Sequence, residues 1–175
     1  MKKYREKNYT RIGILGGTFD PPHVGHLHIC KVALKKLNLK KILWIVTKKN
    51  PFKKKPYLDE KNRIQLSKQI TKNNNKIFVR YYDNKIKSSS TFKLLSYIKN
   101  KNKNTKIFFL IGSDNLIKLH KWKNWKKIPK LAKIVVFPRD GYSFASIISK
   151  KLSKKDIIYI KSKKINISSS LIRKF

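Results

Sequence analysis

Residues 11–26 read RIGIL followed by GGTFDPPHVGH, and the order of their chemistry decides the fold. Arg11–Leu15 is an apolar run of strand length, and Gly16-Gly17 is a turn that lets backbone approach a ligand closely. From Val24 onward, Leu27, Cys30, Leu34 and Leu37 recur at spacings of three and four, one face of an amphipathic helix. The free N–H groups and positive dipole end of that helix face the turn, which makes a ready anion site. His23 and His26 stand three apart at the helix start, with Gly25 between them adding no bulk. Two imidazoles so placed can donate hydrogen bonds to phosphate oxygens as charge builds in a transition state. A metal reading of the pair needs a third ligand, and none stands nearby at suitable spacing. The string is not a P-loop, because no Gly-Lys-Ser/Thr follows, and Thr18-Phe19 after the paired glycines excludes a G-x-G-x-x-G dinucleotide turn.

Outward from this segment, strand-length apolar runs alternate with helical patterns. Ile42–Thr47 is a second strand, leading into a Lys- and Pro-rich loop, Lys48–Tyr57. Asp59 caps a helix carrying Ile64, Leu66 and Ile70, and Ile77–Tyr82 is a third strand. The hydroxyls of Ser88–Thr91 supply a natural cap for a helix bearing Phe92, Leu95 and Ile98. After a polar turn at Asn100–Thr105 come a fourth strand, Lys106–Ile111, ending at Gly112-Ser-Asp-Asn, and a fifth, Lys133–Phe137, ending at Pro138-Arg-Asp-Gly. Ile157–Ile160 is a candidate sixth strand, before a last helix start at SSSLIR. Strands alternating with helices predict an α/β fold with a parallel sheet and helices on both faces. Ligands of such sheets bind beyond the carboxyl ends of the strands where strand order reverses, and the Gly16, Gly112 and Pro138 turns all fall at that edge.

A length of 175 residues suits one domain, residues 1–175, with 1–10 read as a flexible N-terminal extension. No apolar run approaches the ~20 residues of a membrane span, and no apolar signal core follows Met1-Lys-Lys, so a cytoplasmic protein is expected. The single cysteine, Cys30, cannot form an intramolecular disulfide. The net charge of +37 invites a nucleic-acid reading, that of a basic binding module. Yet the excess is nearly all Lys, spread through the whole chain, with Arg only at 5, 11, 63, 80, 139 and 173 and Ala only at 33, 132 and 145. Lys, Asn and Ile have A/T-rich codons and Ala has G/C-rich ones. Drift in base composition therefore explains the profile better than specific nucleic-acid binding does, although anionic substrates are still attracted.

The full string at Gly16–His26 resembles the signature of the nucleotidyltransferase superfamily named for its H/T-x-G-H motif, here His23-Val24-Gly25-His26. Ile167-Ser-Ser-Ser-Leu-Ile-Arg173 is similar to that superfamily's second signature, usually written ISSTxIR. Between them the chain resembles the bacterial nicotinate-nucleotide adenylyltransferase family from about Arg11 to Arg173. The resemblance lies in Asn50-Pro-Phe-Lys53, Glu60-Lys-Asn-Arg63, Ile111-Gly-Ser-Asp-Asn-Leu, His120-Lys-Trp-Lys-Asn-Trp125 and Arg139-Asp-Gly-Tyr142. It implies a Rossmann-like nucleotidyltransferase fold and transfer of an adenylyl group from ATP, accompanied by Mg²⁺, to nicotinate mononucleotide, giving deamido-NAD and pyrophosphate.

On that resemblance His23, His26 and Arg173 are the catalytic residues, the histidines at the α-phosphate and Arg173 at the β- and γ-phosphates. Gly16, Gly17, Thr18, Phe19, Gly25, Ile167, Ser168 and Ser170 line the ATP side. Trp122 is matched to a Trp that stacks on the nicotinate ring, Thr91 to the region receiving the nicotinate carboxylate, Asp114 to a nucleotide contact, and Lys53 to a loop over the substrates. Each residue also has a structural reading: core packing for Trp122 and, preferred, for Trp125, a helix cap for Asp114 and Ser168, a drifted lysine for Lys53. Three departures stand out. Phe52 replaces a common His, Ser170 replaces the usual Thr, and the sequence stops two residues after Arg173, so oligomer contacts made by a longer tail are not expected, although a homo-oligomer is open. Pantetheine-phosphate adenylyltransferases share both signatures but usually have Thr where His23 stands and lack the GSDN and paired-Trp segment. Nicotinamide mononucleotide as acceptor stays open, since one carboxylate-versus-amide contact decides it.

Overall fold

The computed structural model describes residues 9–50, 55–139, 141, 152–162 and 167–174. Six strands, β1 (Thr10–Gly17), β2 (Lys41–Val46), β3 (Ile77–Tyr81), β4 (Thr105–Gly112), β5 (Lys133–Phe137) and β6 (Ile157–Tyr159), form one sheet in the order β3-β2-β1-β4-β5-β6. Every pairing is parallel. The order turns back between β1 and β4, so the crevice expected of such sheets opens above these two strands. Thr10, expected to belong to an N-terminal extension, is the first residue of β1, and residues 1–8 lie outside the described residues.

Parallel strands buried on both faces read as continuous apolar runs, as β1, β2, β4 and β5 do. Successive side chains alternate between two cores. One takes Ile12 and Ile14 of β1, Leu43 and Ile45 of β2, Ile107, Phe109 and Ile111 of β4, and Ile134 and Val136 of β5. The other takes Leu15, Trp44, Val46, Phe108, Leu110, Val135 and Phe137. Over the first core lie α4 (Thr91–Lys101) with Leu94, Leu95 and Ile98, α5 (Ser113–Lys118) with Leu116, and α6 (Ile128–Leu131) with Ile128. Over the second lies α1 (Val24–Lys36), which buries Cys30 and Ala33, while Leu27 and Leu34 pack at its margin.

Two expectations need correction. Asp59 does cap α2 (Glu60–Thr71), accepting from Asn62 N at 2.7 Å, but the fully buried face of that helix is Arg63, Ser67 and Thr71. Ile64 and Ile70 pack only at the margin of the second core. The hydroxyl cap expected of Ser88–Thr91 is also not made at Ser90, the N-cap residue of α4. Ser88 Oγ instead accepts from Ser90 N at 3.1 Å, a side-chain turn two residues earlier that competes with capping. A short helix the sequence did not announce, α3 (Asp83–Ile86), precedes it.

Candidate active site

At the carboxyl end of β1 the backbone passes through Gly17 and Thr18 into Phe19, which takes a left-handed φ of 50°. A non-glycine residue held there is costly and persists only where its surroundings over-determine it. They do: the Phe19 ring is 4 % exposed, 4.6 Å from Trp44 and 5.0 Å edge-on to His26. The chain then passes the cis Asp20–Pro21 bond and reaches His23, the N-cap residue of α1. His26, one turn on, stacks on His23 with ring centroids 3.7 Å apart.

His26 Nδ1 accepts from the backbone N–H of His23 at 3.2 Å. A nitrogen that accepts carries no proton, so the neutral ring holds its proton on Nε2. His23 is 5 % exposed, and neither of its ring nitrogens has a hydrogen-bond partner among the described residues. Burial first, and the positive charge of Arg139 second, lower its pKa from 6.5 to about 4, so the ring is neutral at pH 7. A buried imidazole with both nitrogens unanswered is costly in the free protein and leaves a donor and an acceptor for a ligand. Gly25 is needed for this packing: a Cβ there would lie 3.0 Å from His23 Nδ1 and 3.1 Å from Ile167 Cγ2.

The other end of the chain closes the same turn. α7 (Ser169–Ile172) starts at Ser168, whose hydroxyl accepts from Leu171 N at 3.1 Å, an ordinary cap. Ser169 Oγ donates to Pro21 O at 2.8 Å. Arg173 donates to Asp20 O and, at 3.2 Å, to Ser170 Oγ, and lies 3.6 Å from the Asp20 carboxylate. His23, His26, Gly16–Phe19, Gly25, Ile167, Ser168, Ser170 and Arg173 thus come together from opposite ends of the sequence.

Of the residues expected on the acceptor side, Thr91, Asp114 and Trp122 belong to the other face of the sheet. Asp114 does not cap α5, whose N-cap is Gly112; its carboxylate stands 3.6 Å from Arg139 Nε instead. Arg139 N donates to Ser113 Oγ at 2.9 Å, so the β5 exit is tied to the β4 exit, and the same guanidinium acts on His23. Trp122 is half-buried against the first core, edge-on to Phe109 at 6.1 Å, and Trp125 packs against that core as expected. Thr91 is the first residue of α4 and partly exposed. Lys53, Phe52 and Tyr142 lie outside the described residues.

The sequence reading missed four charged residues. Arg63 and Arg139 were noticed only as parts of motifs. Asp20, Arg63 and Asp83 are buried at the same edge, and their bonds are described below. Among the described residues no three His, Cys, Asp or Glu side chains lie together as a metal site.

The cytidylyltransferase-like family profile matches residues 14–175. A relative from Pelagibacter ubique (strain HTCC1062), described as a probable nicotinate-nucleotide adenylyltransferase, is 49 % identical over 94 % of this chain and 93 % of its own. One of the same description from Clostridium novyi (strain NT) is 40 % identical over 92 % of this chain and 84 % of its own. Among solved structures, the Plasmodium falciparum nicotinic acid mononucleotide adenylyltransferase complexed with NaAD superimposes with a TM-score of 0.78 at 25 % identity, over 95 % of this chain and 84 % of that one. With relatives at 49 % and 40 % identity matched over nearly its whole length, the chain belongs to the nicotinate-nucleotide adenylyltransferase family.

Proposed function

We propose that this protein transfers the adenylyl group of ATP to nicotinate mononucleotide, giving deamido-NAD and pyrophosphate, a step of NAD biosynthesis in the cytoplasm. The observation that carries the reading is the buried, unanswered His23 ring stacked on His26 at the start of α1, with Arg173 on the same turn. Family membership supplies the substrates.

The acceptor's 5′-phosphate attacks the α-phosphorus of ATP in line, the new P–O bond forms as the bond to the bridging oxygen breaks, and pyrophosphate leaves with that electron pair. An ionised phosphate is already a nucleophile, so no side chain need take a proton. Catalysis is positioning and charge stabilisation. Gly16, Gly17, Thr18, Phe19 and Gly25 shape the turn that receives the phosphates. His26, its proton fixed on Nε2, and His23 donate to oxygens of the α-phosphate. Arg173, with Ile167, Ser168 and Ser170 behind it, holds the departing pyrophosphate through its planar fork. On the acceptor side Trp122 offers the free part of its ring to the pyridine, Asp114 meets the nucleotide and Thr91 lies by the nicotinate carboxylate, while Lys53 is matched to a loop over the substrates.

Mg²⁺ enters with ATP. Asp20 and Asp114 are already engaged, by Tyr57 N, Leu58 N and Arg173 and by Arg139 respectively, which suits an ion held by phosphate oxygens and water. Pyrophosphate release with ATP plus nicotinate mononucleotide, nicotinamide mononucleotide or 4′-phosphopantetheine, run in parallel, tests the reading. The first should be preferred at least tenfold in kcat/KM over the others, about 1.4 kcal/mol of discrimination. A preference for either rival overturns it.

A further inference from the structure

Three charged side chains are buried among the described residues: Asp20, Arg63 and Asp83, at 8 %, 2 % and 6 % exposure. All three lie at the carboxyl edge of the sheet, and their bonds follow one another around it. The Asp20 carboxylate accepts from Tyr57 N at 2.8 Å and Leu58 N at 2.9 Å, and faces Arg173. Arg63 donates to four carbonyl oxygens: Leu58 at 3.1 Å, Thr18 in the phosphate turn at 2.6 Å, Thr47 at 2.7 Å and Lys48 at 3.2 Å. Asp83 then accepts from Lys48 N at 2.8 Å and from Ser89 Oγ at 2.5 Å. Ser89 is two residues before Thr91.

Polar bonds therefore run from Arg173 through Asp20, the chain around Leu58, Arg63, Lys48 and Asp83 to the segment that opens α4. Stability alone does not call for such a chain, because well-packed apolar residues often serve a buried position as well as charged ones. Directional bonds to fixed backbone atoms do something that packing cannot: they set the register of segments on opposite faces of the sheet. The two groups of site residues described above lie on those opposite faces. Groups that receive the acceptor lose hydrogen bonds to it when they are displaced by about an ångström, and each bond lost weakens its binding by up to about tenfold.

We propose that Asp20, Arg63 and Asp83 are positioning residues that hold the segment leading to Thr91 in register with the phosphate turn and Arg173. The inference rests on the acceptor assignment above. The bonds of all three are to other parts of this protein, so their loss acts through the residues they hold.

Asp83 is the best probe, because it touches neither the turn nor Arg173. In Asp83→Ala, KM for nicotinate mononucleotide should rise about tenfold, with kcat and the affinity for a non-hydrolysable ATP analogue within about twofold of wild type. The Lys48 amide should lose its protection from hydrogen exchange, and the amide resonances of Ser89–Thr91 should shift. Ser89→Ala removes only a hydroxyl and serves if the first variant does not fold; a KM increase of about threefold is expected. A merely structural role would lower thermal stability and leave KM unchanged well below the melting temperature. The inference is overturned if acceptor KM stays within twofold of wild type in a folded variant whose Lys48 amide has lost protection. Wild-type enzyme that does not adenylate nicotinate mononucleotide would instead sink the acceptor assignment. The amide shifts at Ser89–Thr91 then decide the positioning claim: unmoved resonances in Asp83→Ala overturn it, displaced ones support it.

Discussion

At His26 the backbone sets the chemistry: an N–H of its own helix start fixes which ring nitrogen keeps the proton. His26→Ala removes that donor, and pyrophosphate release should fall by about 10²–10³-fold, the usual cost of one oxyanion-stabilising donor. Calorimetric affinity for an ATP analogue should change only a few-fold, and turnover close to wild type would sink the role. His23 predicts a pH dependence of stability. Its folded pKa is lowered to about 4 from 6.5, so the unfolded chain binds more protons between these values. The neutral ring's contribution is complete above pH 6.5 and is lost as pH falls toward 4. Urea midpoints at pH 7 and pH 5 should therefore lie further apart for wild type than for His23→Asn. That His23 and His26 share one turn was legible in the sequence, and Arg173 stands at the same place because its motif forms the last helix start. The roles of Asp20, Arg63 and Arg139 were not legible, although composition carried a signal. In a chain whose basic residues are overwhelmingly Lys, six positions are Arg, and 63, 139 and 173 are the ones at the site. At Arg63 a planar fork serves four carbonyl oxygens, a set of bonds that a lysine ammonium could not reproduce.

Among the elements, strands were read best. A strand covered on both faces shows as an unbroken apolar run, which is why β1, β2, β4 and β5 stand out and why the two cores separate cleanly. The inward face of α2 escaped, because a periodicity search finds apolar residues and this helix turns Arg63, Ser67 and Thr71 inward. The α4 cap escaped for a related reason: several adjacent hydroxyls leave open which one meets the backbone. The β4–α5 junction gives a test at this scale. A Cβ on Gly112 would stand 2.3 Å from Asp114 Oδ1, while the backbone at φ −79° accepts any residue. Gly112→Ala must push the carboxylate and its Arg139 partner aside. Acceptor KM should rise about tenfold, with a stability loss of about 1–3 kcal/mol by chemical denaturation. An unchanged KM would show that Asp114 is not held for the acceptor.

For the whole molecule, +37 of net charge acts on anionic substrates before any contact is made. kcat/KM for ATP should fall roughly tenfold between 50 and 500 mM salt while kcat holds steady, since screening weakens steering and leaves the enclosed chemistry alone. A kcat that falls in parallel would mean that salt disrupts the site itself. The same charge bears on the two ends of the sheet. Among the described residues β3 and β6 each leave one side of their hydrogen-bonding ladder without a neighbouring strand, and such edges are templates for pairing with another copy. Repulsion between like-charged molecules works against such pairing, so the lysines act as a safeguard against self-association. That safeguard is conditional. A polyanion that neutralises the surface removes it, and the first sign of aggregation belongs to mixtures with RNA or polyphosphate rather than to concentrated protein.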